Sequence, residues 1–160
     1  MQIQGIPLDF AAIGLSALIT ILITVLFCLS LVKTLAYVAP ENRAIQPSVV
    51  WLLLVPVLNY IFSFFVVFWM SKSISNELKS RDFDEVKWPA LVPGLISATL
   101  SLLPLAVYFI DIPEKYMDAI GFLALFQMIF FIQYWMKINW YRQIFKQDTE
   151  ENAFDQADEN

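Results

Sequence analysis

The chain has 160 residues, of which 59% are hydrophobic, 16% aromatic and only 16% charged, with a formal net charge of −5. Soluble domains carry about 45–50% apolar and about 25% charged residues, so part of the solvent of this chain is lipid. The absence of histidine and the single cysteine, Cys28, exclude an imidazole base, an internal disulfide and a thiolate zinc site, and the negative charge argues against nucleic acid as a partner.

A helix rises about 1.5 Å per residue, so roughly 20 apolar residues cross a hydrocarbon core about 30 Å thick. Four runs meet that length, at about 10–32, 49–70, 90–110 and 117–136, the last uncharged from Ile120 onward. They are apolar all round instead of striped, which excludes a water-soluble bundle. The expected fold class is all-α: a polytopic integral membrane protein whose four transmembrane helices form an antiparallel bundle with cytoplasmic helix extensions. The expected domains are a four-span unit over 1–146 and an acidic disordered tail over 147–160.

The first run lacks the basic flank and the short apolar core of a signal peptide, so it reads as a retained span, with Asp9 placed to cap its start. Pro40 ends it, because the residue before a proline disfavours helix. Pro47 and the pair Trp88 and Pro89 open the second and third helices. Asp111 and Glu114 have the spacing of a capping pair before the fourth. Trp51 and Trp69 bracket the second span 18 residues apart, about 27 Å along a helix, and Tyr116 and Trp135 bracket the fourth.

With four spans, both termini and the middle loop share one side. That side holds Lys72, Lys79, Arg81, Lys87, Lys137, Arg142 and Lys146, against Lys33, Arg43 and Lys115 opposite. The positive-inside rule then places both termini in the cytoplasm. Residues 71–81 continue the second helix, with Ile74 and Leu78 on one face and Glu77 and Arg81 paired four apart. Ile138, Tyr141, Ile144 and Phe145 continue the fourth as an amphipathic helix near the headgroups, with Lys137, Arg142 and Lys146 between them. These cations anchor the helix or contact lipid or a partner. Six acids and no base follow Lys146, the composition of a solvated tail that recruits a basic partner or only solubilises the chain end.

Polar residues within the spans fall in stripes: Ser16, Thr20, Thr24 and Cys28; Pro56, Asn59 and Ser63 beside Tyr60; Gly94, Ala98 and Ser101 beside Ser97; and Gln127 in the fourth. Small and hydrogen-bonding residues mark the inner faces of a bundle. Pro56 and Pro104 are expected to kink their helices. A kink beside Asn59 shapes either a small polar pocket or a packing contact, with Pro56, Asn59, Ser63 and Gln127 as its candidate residues. No acid or base falls in the middle of a span, where pumps and proton relays place ionisable groups. No catalytic residue, cofactor site or metal site is expected, and the chain is expected not to be an enzyme.

The stretch 41–81 carries Asn42-Arg43, Pro47, Val50-Trp51-Leu52, Pro56, Asn59, Phe65, Ser73, Glu77 and Arg81. That pattern resembles a family of small, uncharacterised bacterial four-helix inner-membrane proteins, a domain of unknown function. The resemblance implies a bacterial inner-membrane setting and assigns no activity. Within it Arg43 caps carbonyls at the end of the first helix, pairs with Glu41, or contacts a lipid phosphate or a partner. The expected function is a non-enzymatic accessory or scaffold subunit of a larger membrane assembly. The alternatives are a small transporter or channel acting as an oligomer, or a lipid-binding membrane protein. The expected partners are the lipid bilayer and other membrane proteins or further copies of the chain.

Overall fold

The computed structural model describes residues 10–83, 87–109 and 113–158. Among them the chain is all-helical: α1 (Phe10–Ala36), α2 (Pro56–Ser80), α3 (Leu91–Leu100), α4 (Leu103–Phe109) and α5 (Met117–Asp158), with a 3₁₀ helix over Pro47–Leu54. Three helices, α1, α2 and α5, are long and apolar enough to cross a membrane. Asp9 and Asp111, expected as caps, lie outside the described residues.

The second apolar run is not one helix. It begins as the 3₁₀ helix, breaks at Val55, whose backbone is extended at φ −84° and ψ 111°, and restarts as α2 at Pro56. Proline has no N–H to donate and disfavours helix at the residue before it, so the first position of a helix suits it. Pro56 therefore starts α2 and does not kink it. Trp51 and Trp69 fall on different segments, so their spacing does not measure one span.

Contacts show that the chain also reverses there. Residues 37–46 descend along α2, with the Ala39 amide on Glu77 and the Ala44 amide on the Ser73 hydroxyl, at 2.9 and 2.8 Å. The 3₁₀ segment then wedges between α1 and α2, where the Cys28 thiol meets the Val50 carbonyl at 3.6 Å. After Pro56 the chain climbs again to Arg81, which bonds the Tyr37 carbonyl just past the end of α1. Helices α1 and α2 thus run the same way, and α5 joins them, since Phe145 meets the same arginine. Only α3 opposes them, entering where Trp88 stacks on Phe68.

The third run is likewise divided, at Ser101 and Leu102 between α3 and α4, just ahead of Pro104. Gly94 is the tight point of α3: a Cβ there would sit 2.6 Å from Val67 and 2.9 Å from Tyr134. This is the close approach that small residues permit between helices.

Packing is uneven along the bundle. Cys28, Leu31, Leu35, Val50, Met70, Ile74, Ile138 and Phe145 are fully buried toward the end where α1 and α2 finish against the flank of α5. Toward its start α1 is bare, with Leu15, Leu18 and Leu22 exposed. The hydroxyls of Thr20 and Thr24 bond the carbonyls one turn back, at Ser16 and Thr20, instead of reaching another helix. Helix α5 runs unbroken to Asp158, through the segment whose composition suggests a disordered tail.

Candidate functional site

Two features stand out where the helices converge. The first is a polar hub at the buried end. Glu77 lies one turn before the end of α2, on the face that Ile74 and Leu78 share, and is 2% exposed. A carboxylate there must be bonded or stay neutral. It accepts from the Ala39 amide, from Asn42 Nδ2 at 2.8 Å and from Arg81 Nε at 2.8 Å.

Arg81 spends its remaining donors on two further chain segments. Nη1 donates to the Phe145 carbonyl, to the Asp148 carboxylate at 2.6 Å and to the Thr149 hydroxyl, while Nη2 donates to the Tyr37 carbonyl at 2.9 Å. The guanidinium also lies over the Phe145 ring, 5.2 Å from its centroid. One side chain therefore ties the ends of α1 and α2 to the flank of α5. Asn42 adds a bond to Ser80, and Asn76 donates to the Asn42 carbonyl. Arg43 Nε donates to the Val38 carbonyl at 2.8 Å, two residues past the end of α1.

The second feature is a cavity of about 130 Å³ between α1, α2, α3 and α5, at the loosely packed level of the bundle. It is lined by Asn59, Ser63 and Gln127 together with Thr24, Ser97 and Tyr134. Three of the four expected pocket residues thus share one cavity. Pro56 does not line it and acts one turn away as the start of α2. The Tyr134 hydroxyl is buried with no hydrogen-bond partner among the described residues. The volume is that of a benzene-sized void, with a polar fringe supplied by amides and hydroxyls and no ionisable base.

The structure separates the cations expected to meet lipid or a partner. Arg142 and Lys146 line a groove with Lys33, Ala36 and Tyr37 of the α1 end, whereas Lys137 is exposed elsewhere on α5 and Arg43 is part of the hub's fringe. Lys33, which a four-span count puts on the opposite side from Arg142, is in fact its neighbour.

The hub was legible in part. Ile74, Glu77, Leu78 and Arg81 recur at helical spacing, so a charge pair on the apolar face of an extension is the signal that Glu77 is buried with Arg81 as its partner. Asn42, Glu77 and Arg81, spread over 40 positions of chain, meet here, and Ser73, one turn before Glu77, holds the Ala44 amide beside them. No group of His, Cys, Asp or Glu among the described residues could hold a metal ion. Comparison with family models, curated proteins and solved structures finds no match for this chain.

Proposed function

We propose that this protein is a multi-pass inner-membrane protein of bacteria, of the uncharacterised family that its 41–81 stretch resembles, and that it serves as a non-enzymatic scaffold subunit in a larger membrane assembly. The observation that carries this reading is the hub. Glu77 and Arg81 use their hydrogen-bonding capacity on the chain itself, so they fix three segments to one another and keep little for a substrate. From that fixed base the last turns of α5 extend with Glu150 and Glu151 exposed, an acidic arm for a basic partner.

The membrane arrangement that fits these contacts has three crossings, by α1, by α3 with α4, and by α5. The Pro47–Leu54 segment and α2 form a hairpin that enters and leaves on one side. In that arrangement only the part of α2 from Pro56 to Trp69 lies in the core, rising about 20 Å of its roughly 30 Å, and Met70 to Ser80 extend beyond it. Lys33, Arg43, Lys72, Lys79, Arg81, Lys87, Lys137, Arg142 and Lys146 then lie at one end and only Lys115 at the other. That is a stronger asymmetry than four spans allow, and it sets the hub and the C-terminus in the cytoplasm with the N-terminus across the membrane.

Purification of the full chain from its native membranes after mild crosslinking tests the scaffold reading. A stoichiometric partner is expected, and a Glu150→Gln, Glu151→Gln, Asp155→Asn variant is expected to lose most of it. A lone monomer in both would remove the proposal. The cavity favours a second reading, an oligomeric conduit for a small polar solute. Equal solute flux through liposomes of wild type and Asn59→Leu would remove that one.

A further inference from the structure

The groove between the end of α1 and the flank of α5 gathers three cations. It is open to the outside and draws Lys33 from one helix and Arg142 and Lys146, one turn apart, from the other. No acid lines it. Lys146 reaches Glu150 at 3.5 Å, but both are well exposed, so that pair is weak and readily exchanged for another anion. Asp148, the next acid along α5, is already held by Arg81.

The groove has a floor and a depth. One turn below it the Ser30 hydroxyl donates to Asn139 Oδ1 at 2.8 Å, which joins the two helices and keeps the cations facing each other. Below that, Phe27 packs edge-on against Trp135, centroids 5.8 Å apart. Tryptophan sits at the boundary of hydrocarbon and headgroups. From Trp135 to Arg142, and from Phe27 to Lys33, the helices rise about 10 Å, which sets the cations at the depth of the lipid phosphates.

We infer that this groove is a binding site for the phosphate of an anionic phospholipid. The planar fork of Arg142 suits a phosphate diester, and two lysines supply compact charge beside it. The apolar surface beneath identifies a lipid as the source of that phosphate. Leu22, Leu26 and Leu29 recur at helical spacing on the face that ends in Lys33, and all three are exposed, so an acyl chain has a track leading down from the headgroup. A soluble phosphate would gain nothing from that stripe. The inference rests on the membrane arrangement proposed above and is independent of any scaffold partner.

The test uses the purified full chain in phosphatidylcholine nanodiscs, with a small fraction of photoreactive phosphatidylglycerol or photoreactive phosphatidylcholine. Mapping of the crosslinked peptides needs no variant. The glycerol lipid is expected to label residues 33–37 and 142–146 preferentially, and the choline lipid to label without that focus. A Lys33→Gln, Arg142→Gln, Lys146→Gln variant should lower the focused labelling at least about tenfold, while Lys72→Gln, Lys87→Gln, Lys137→Gln, with the same change in net charge, should alter it less than about twofold. Labelling focused elsewhere, or an equal loss in both variants, overturns the site. Displacement of the lipid by millimolar glycerol 3-phosphate overturns its assignment to lipid in favour of a free phosphate.

Discussion

Arg81 and Glu77 are the residues on which the convergence of the helices depends. Arg81→Ala leaves a buried carboxylate with its charge uncompensated and takes the guanidinium donor from the Tyr37 carbonyl and the Asp148 carboxylate. The expected loss is about 3–5 kcal/mol, read as a lowered unfolding midpoint in mild detergent by circular dichroism. Arg81→Lys keeps the charge but loses the fork that reaches Tyr37 and Asp148 together, so it should recover only part of that loss. A midpoint for Arg81→Ala equal to that of Lys72→Ala would show that the hub carries no stability. At Gly94 the expected effect is steric. Gly94→Ala pushes a methyl group against Val67 and Tyr134, at a cost of about 1–3 kcal/mol. Combining it with Val67→Ala should relieve part of that cost, and the absence of any relief would place the strain elsewhere.

Two of the apolar runs in this protein, the second and the third, are each divided between two elements. Hydropathy reads residues 49–70 as a single span because lipid-like side chains are the same in a 3₁₀ helix, an extended residue and an α-helix. What divides the run is backbone chemistry at Val55 and Pro56. Since Pro56 occupies the first helical position, Pro56→Ala should change stability by less than about 1 kcal/mol. Ser63→Pro, inside α2, removes an intrahelical bond and should cost about 3 kcal/mol or more. Equal effects, measured by helix content and unfolding midpoint, would mean that α2 extends through position 56. The same reasoning separates α3 from α4 ahead of Pro104. By contrast, the extensions of α2 and α5 beyond their apolar runs follow directly from the periodicity of Ile74 and Leu78, and of Ile138, Tyr141 and Phe145. Those positions are buried where the pattern places them, Ile138 and Phe145 fully, because an amphipathic stripe needs only local geometry to be read.

At the scale of the whole molecule the proposed arrangement, with its hairpin, changes the parity of the crossings. A reporter fused to the C-terminus should signal a cytoplasmic position and one fused to the N-terminus the opposite side. Both termini on one side would restore four spans, and a C-terminus outside would reverse the orientation. Composition and periodicity by themselves determined that the chain is helical and apolar enough for a membrane, where most loops fall, and that Asn59, Ser63 and Gln127 are inward-facing polar groups. They do so because hydropathy, proline stereochemistry and helical spacing act over a few residues at a time. Only the tertiary structure decided the direction of α2, the meeting of Glu77 and Arg81 with Tyr37 and Asp148, and the pairing of Lys33 with Arg142. Each depends on a reversal at Val55 and Pro56 that costs a single extended residue, and once made it exchanges the end of the bundle to which every later residue belongs.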